Sequence, residues 1–382
     1  MKKQKLVVLV AAMLCCSFAF GADWLTDGGD TARSGWQKNE HAFTKENIKN
    51  SQLLWTVNTG ETPRALHSLI TPLVVQGVPT SAGPKDMLFV AGVSDNLFAI
   101  DSSDGKIIWQ KHFTYPAAPA RPGGRGPAEN ADPRHFNFLN PNGSSDTPVI
   151  GPADAKGNRS LYMVDGGGHL HTINIATGEE TKPSVELGTS KFALQLYNNM
   201  VIAAGHAGIM STRVDDASQA VTKSVGFGGG GGLWGRRGPV IDSEGVVWTT
   251  TGDGPYNISN PNNLIIGNSV VGFQLKDGAW KVKDWFTPPN WDWLRKRDLD
   301  PNNTPTVFTY KGRELMAASG KECRVYLIDP KNAGGPDHHE PLYKTPLFCN
   351  EAVDFQNAGS WGALSSWEDA KGTRWILVPF WG

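Results

Sequence analysis

Between residues 226 and 326 the chain gathers side chains that can do chemistry, in GFGGGGGLWGRRGPVIDSEGVVWTTTGDGPYN, GNSVVGFQL, TPPNWDWLRKRDLD and ASGKECRVYLIDP. Carboxylates such as Asp253 and Asp292 can take up a proton or offer oxygen to a hard cation. An ammonium such as Lys321 can steady a developing negative charge, and an indole such as Trp234 gives a flat apolar face to an aromatic ring. The glycine run at 228–232 is not a phosphate loop, because the lysine and helix such a loop needs do not follow it. His169 and His171, in GGHLHTI, are two apart and project to one face of a strand. With no further ligands in view they read as structural, and His338 and His339 belong to a polar loop.

These residues need a scaffold, and a repeat supplies it. LFAIDSSDGKIIWQKHFT at 97–114 reads as a strand, an acidic-glycine turn and a second strand ending near Trp109. Related text recurs around Trp55 and at 170–180, 209–219, 270–286 and 325–335. A period of about 40–50 residues of strand-turn-strand sequence points to a radial array of four-stranded sheets, a β-propeller. The 44 glycines and 25 prolines punctuate nearly every apolar run, leaving little room for helices of ordinary length. At 382 residues one large all-β domain is expected, since a propeller grows by adding blades around one axis.

The first 21 residues have a lysine-rich start, a short apolar run and small residues at Ala19 and Gly21, the pattern of a secretory signal peptide with cleavage before Ala22. The run is short for a membrane span, and nothing else in the chain reads as one, so an integral membrane protein is not expected. Cys15 and Cys16 fall inside this segment without the small-residue lipobox of a lipoprotein. Loss of Lys2, Lys3 and Lys5 takes the formal charge from −1 to −4. That balance, without a lysine or arginine block, argues against nucleic acid as a partner. Cys323 and Cys349 are the cysteines left after residue 21, and a periplasmic or secreted location permits a disulfide between them.

In the domain at 22–382 about six blades are readable. The strand around Trp55 resembles the closing strand of a blade whose other strands come from the C-terminal side. The next blades run at 68–114, 145–188, 191–225, 238–287 and 304–347, with a Pro- and Gly-rich insertion at 117–143 that cannot bury a core and is expected over one rim. A further blade opens at WGALSSWEDAKGTRWILVPFWG and stops after its second strand. Truncation is the expectation, because an open ring exposes sheet edges.

Taken in order, the motifs between 226 and 326 resemble the central blades of the quinoprotein alcohol dehydrogenases, eight-bladed propellers that hold pyrroloquinoline quinone and a calcium ion on their axis. In that family a glycine-rich run leads to a Trp-Gly pair whose indole forms the floor under the quinone, here Trp234 and Gly235. Thr-Gly-Asn, whose amide oxygen binds calcium, stands here as Thr251-Gly252-Asp253, which keeps an oxygen donor. The Trp-Asp motif carries the general base, here Asp292. Lanthanide-using relatives have a second Asp two positions later, where this chain has Leu294. A basic residue set against the quinone oxygens before a Y-x-L-D strand aligns with Lys321, and Trp361 in GSWGALSS matches a further cofactor-side tryptophan.

The chain also departs from the family. The vicinal cysteine pair over the quinone has no counterpart after residue 21, and AAGHAGIMSTRV offers His206 where the calcium glutamate is expected. The absence of C-x-x-C-H excludes a covalent haem. The resemblance implies an exported dehydrogenase that oxidises an alcohol or sugar by hydride transfer to the quinone, with electrons passing to a separate acceptor. The alternative is a non-catalytic propeller kept as a periplasmic scaffold or interaction module, as in the outer-membrane assembly lipoprotein that resembles these enzymes.

Overall fold

The computed structural model describes residues 22–61, 69–115, 146–188, 192–205, 208–216, 218, 220–228, 230–349 and 359–380. The segment expected to be a signal peptide, the whole 117–143 insertion and His206 lie outside the described residues.

Strands β1 (Leu73–Thr80), β2 (Gly83–Gly92), β3 (Asn96–Asp101) and β4 (Ile107–His112) form one antiparallel four-stranded sheet. A second holds β5 (Val149–Ile150), β6 (Ser160–Val164), β7 (His169–Asn174) and β8 (Glu180–Glu186). The third comprises β9 (Gln195–Tyr197), β10 (Met200–Gly205), β11 (Gly208–Arg213) and β12 (Val221–Lys223). In the fourth, β13 (Leu233–Trp234) and β14 (Val240–Ile241) both pair with β15 (Val247–Thr251), which continues to β18 (Val270–Lys276) and β19 (Ala279–Phe286). A small ribbon of β16 (Tyr256–Asn257) and β17 (Ile265–Ile266) sits within that blade's sequence. The fifth sheet is β20 (Thr306–Tyr310), β21 (Arg313–Ser319), β22 (Val325–Ile328) and β23 (Tyr343–Lys344), and a two-stranded sheet of β24 (Ser365–Glu368) and β25 (Arg374–Leu377) follows. Among the described residues the one α-helix is the short α1 (Trp291–Arg295).

Burial follows strand position. NLFAID of β3 is almost wholly buried, as a strand must be when neighbouring sheets cover both faces. IIWQKH of β4 and ETKPSVE of β8 are largely exposed, as outer strands on a rim. Successive sheets meet through their inner strands, β5 with β9, β14 with β20 and β20 with β24. Apolar clusters fill the spaces between them, one joining Met87, Phe89 and Leu97 to Leu161, Met163 and Ile173.

Tryptophans from outer strands lock neighbouring sheets. Trp109 of β4 donates Nε1–H to the Ile175 carbonyl at 3.0 Å. Its ring lies against Gly178, where a Cβ would come 2.8 Å from the indole and φ is +76°. Only glycine meets both demands. Trp55 repeats the contact one blade earlier, donating to the Ser102 carbonyl at 2.9 Å. The expected strand around Trp55 is corrected here: residues 51–61 form no strand, and among the described residues Trp55 and Val57 pack against Val90, Phe98 and Ile100 instead of joining a ladder.

A single turn-rich segment ties the sheets together at the hub. Trp24 exchanges backbone hydrogen bonds with Val74, and the carbonyl of Leu25 accepts from Ile150 N–H at 2.8 Å. The carbonyls of Thr31, Ala32 and Ser34 accept in turn from Ile241, Val307 and Ser366. Arg33 completes the set from full burial: its guanidinium donates to Pro239 O at 3.1 Å, Leu194 O at 2.8 Å, and Asp27 O and Thr26 Oγ1 at 2.5 Å each. Residues 24–34 thus reach the innermost strand, or the residue next to it, in all six sheets. The architecture is a β-propeller.

Candidate functional site

Glycines bring Trp234 into place. β13 lays Trp234 opposite Thr250 of β15, and Thr249 Oγ1 donates to the Trp234 carbonyl at 2.6 Å. The indole donates Nε1–H to Gly231 O at 3.1 Å and leaves no room for a side chain on Gly252. Phe192 supports it with ring centroids 6.0 Å apart. Gly235, the next residue, adjoins Thr304, at the start of the loop into β20.

Asp253 follows Gly252 directly. It is exposed, yet its carboxyl is pushed above the usual range, first by partial desolvation and then by the negative charge of Asp298. Asn268, Lys321 and Arg295 pull the other way. These influences put Asp253, Asp298, Arg295 and Lys321 in one electrostatic neighbourhood.

Lys321 lies in the tight turn between β21 and β22 and is 5 % exposed. Its Nζ donates to Asp298 Oδ1 and to Asp300 Oδ1, each at 2.6 Å. The Trp361 ring covers it, 4.9 Å from Nζ to centroid. Burial by itself would lower the ammonium's pKa, but Asp300 and Asp298 outweigh it and leave it raised. Asp300 is buried so fully that its carboxyl is pushed up to about 7 even with the ammonium beside it. Beyond Lys321, buried Glu322 accepts from the Tyr326 hydroxyl and from Asn290 Nδ2 at 2.7 Å, which fixes the turn to strand β22 and to the start of α1.

Asp292 occupies a different setting. It lies in α1 with 47 % of its side chain exposed, 2.6 Å from Lys296 Nζ and 3.2 Å from Arg295 Nη2. Lys296 first and Arg295 second hold its carboxyl below the usual range. Asp253 thus adjoins the seat of Trp234 and feels the charge of Lys321, which Trp361 covers, whereas Asp292 pairs with Arg295 and Lys296 of its own helix.

Asp298 and Asp300 are the direct partners of Lys321 and carry no role in the sequence expectations. RDLDPNN holds two acids at a spacing of two, the spacing that Leu294 breaks after Asp292. Cys323 and Cys349 are joined in a disulfide with Cα atoms 5.7 Å apart, packed with Leu294 and Leu299 beneath the turn that carries Lys321.

His169 and His171 both face Asp165, at 3.3 Å and 3.1 Å, and His171 also meets Glu180 at 3.3 Å. Among the described residues no three His, Cys, Asp or Glu side chains are grouped so as to hold a metal ion. No helix among the described residues is long and apolar enough to cross a membrane.

No family model and no curated protein matches the chain. Solved structures do. The chain is similar to a quinohemoprotein alcohol dehydrogenase from Comamonas testosteroni, with TM-score 0.54, 18% identity and coverage of 84% of this chain and 51% of that one. A europium-containing methanol dehydrogenase gives TM-score 0.54 and 14% identity, covering 87% of this chain and 59% of that one. The quinohemoprotein alcohol dehydrogenase ADHIIG from Pseudomonas putida HK5 gives TM-score 0.53 and 15% identity, covering 87% and 50%. The chain spans between half and three fifths of the length of these structures. At such identities the likeness is one of fold, and the chain has the propeller fold of the quinoprotein alcohol dehydrogenases.

Proposed function

We propose that this chain is the propeller of an exported quinone-dependent dehydrogenase that oxidises an alcohol or a sugar and passes the electrons to a separate acceptor. One observation supports the reading: the buried Lys321 ammonium, its two carboxylates and the Trp361 indole form one cluster, and its charges act on Asp253, whose neighbour Gly252 is the seat of Trp234. A hub built only to hold sheets together has no need to bury this much charge beside an aromatic face.

The residues suit a flat, acceptor-rich quinone. Trp234 offers a face for stacking. Beside it, the hydroxyls of Thr250 and Thr304 are buried with no hydrogen-bond partner among the described residues. Such orphaned groups are expensive unless a ligand engages them. Pyrroloquinoline quinone, when bound, would accept the hydride. Lys321 would present positive charge to the quinone oxygens, held in register by Asp298 and Asp300. Asp298, with 41 % of its side chain exposed, and Asp253, with its raised proton affinity, are the acids placed to take the substrate's hydroxyl proton. Calcium has no part in this reading, because the acids nearest the ammonium are already committed to it.

The test is a titration of pyrroloquinoline quinone followed by tryptophan fluorescence, together with dye-linked alcohol oxidation. Saturable quenching that is lost in Trp234→Leu, with turnover in the wild type, is the expected result. Absence of both would leave the scaffold reading.

A further inference from the structure

A close pair of carboxylates is the donor chemistry of a hard cation. In this chain the pair is already taken. Asp298 and Asp300 approach the same nitrogen, Lys321 Nζ, at 2.6 Å from two sides, and 7 % of the lysine side chain and 2 % of that of Asp300 are exposed. The backbone reinforces the grip, since Lys321 N–H donates to Asp300 O at 3.2 Å and Gly320 packs on the backbone of Asp300 and Pro301. The Trp361 face closes the far side of the ammonium.

A multivalent ion could enter only by displacing that ammonium. The lysine would then be left as an uncompensated cation in a desolvated place, or would have to swing out from under the indole. An ammonium also differs from a metal in needing no ligand shell of six to eight oxygens, so two carboxylates and a ring suffice.

We propose that Lys321 is the resident cation of this site: its ammonium is paired with both Asp298 and Asp300, so that this pair of carboxylates holds no calcium or lanthanide ion, and quinone binding beside it needs no metal. The cofactor part of this inference rests on the quinone reading above; the cation part stands by itself.

The experiment uses the full chain and terbium, whose luminescence is sensitised by nearby tryptophan, with calcium followed by calorimetry. Wild type should give no saturable terbium signal and no calcium heat. Lys321→Met should gain a saturable terbium signal at least tenfold above wild type, and adding Asp298→Asn should abolish it. Stoichiometric, saturable terbium or calcium binding by the wild type would overturn the proposal, and so would a folded Lys321→Met that binds neither ion. If Lys321→Met does not fold, Lys321→Gln takes its place, and the wild-type measurement decides on its own. Quinone quenching measured in EDTA and in calcium should give the same Kd. A calcium requirement there overturns the proposal, whereas no quenching in either buffer sinks the quinone reading and leaves the cation claim to the terbium result.

Discussion

The indole of Trp234 rests directly on the α-carbon of Gly252, with no space between them for even a methyl group. Gly252→Ala must therefore push the ring off its seat. The expected loss is about 1–3 kcal/mol, the usual range for overpacking. Urea unfolding would record it, with a changed tryptophan emission in the folded state. An unshifted midpoint would mean the ring has another resting place.

Asp292 and Asp298 separate under mutation. Asp298→Asn removes a carboxylate that touches the Lys321 ammonium, and dye-linked turnover should fall by about a hundredfold or more, the scale of acid–base contributions. Asp292→Ala loosens only an exposed helix, so turnover should stay within about threefold of wild type, a change of less than 1 kcal/mol in barrier. Equal losses in the two variants would return the base to α1.

The Cys323–Cys349 bridge closes a loop with a sequence separation of 26. Restriction of the unfolded chain by such a loop contributes about 3.5 kcal/mol. Cys349→Ser should lower stability by that order in guanidinium titrations, and reductant should do the same to the wild type but nothing further to the variant.

Asp300 gives a pH signature. Its folded proton affinity is raised to about 7 by burial, against an ordinary carboxylate value of about 4. Between those values the folded state holds the proton and the unfolded state has lost it, so stability contributed by this group is present below about pH 4 and is lost as pH rises through about 7. Asp300→Asn should flatten that slope in unfolding curves measured across the window. A wild-type curve that rises over the same range would contradict the assignment.

Arg33 is the most heavily bonded side chain of the hub, and burial lowers its pKa to about 10 despite the nearby Asp27. Arg33→Ala removes four buried hydrogen bonds at once, and a loss of about 3–5 kcal/mol is expected by denaturant titration. Arg33→Lys should recover only part of it, because an ammonium cannot span the same fork of acceptors.

The wheel was readable from the text because its repeat depends on local signals: acidic-glycine turns, alternating strands and tryptophans at strand ends. Asp165 and Asp242 cap such turns in the structure, and Trp109, at the end of its strand, docks on the next blade. The site was harder to read. Trp234, Asp253 and Lys321 stood out through motifs, whereas Asp298 and Asp300 did not, because their meaning lies in a turn more than twenty residues away. Pairing of an acid with a base across two loops leaves no periodic trace. Motif spacing likewise drew attention to Asp292, whose helix aims it at its own basic neighbours. The hub segment at 24–34 was equally silent, since many of its contacts are carried by backbone carbonyls that any residue possesses, and a lone arginine such as Arg33 has no periodic signature.

That silent segment shapes how the molecule must be made. The carbonyl of Ala32 accepts from Thr306, 274 positions away, and each sheet in between waits on the same short stretch. Contacts so distant in sequence are slow to form. Sheets can assemble one by one as they emerge, but the axle on which they turn is fastened last. A chain halted midway is then a row of finished sheets without a closed centre, with its most adhesive edges still waiting for partners.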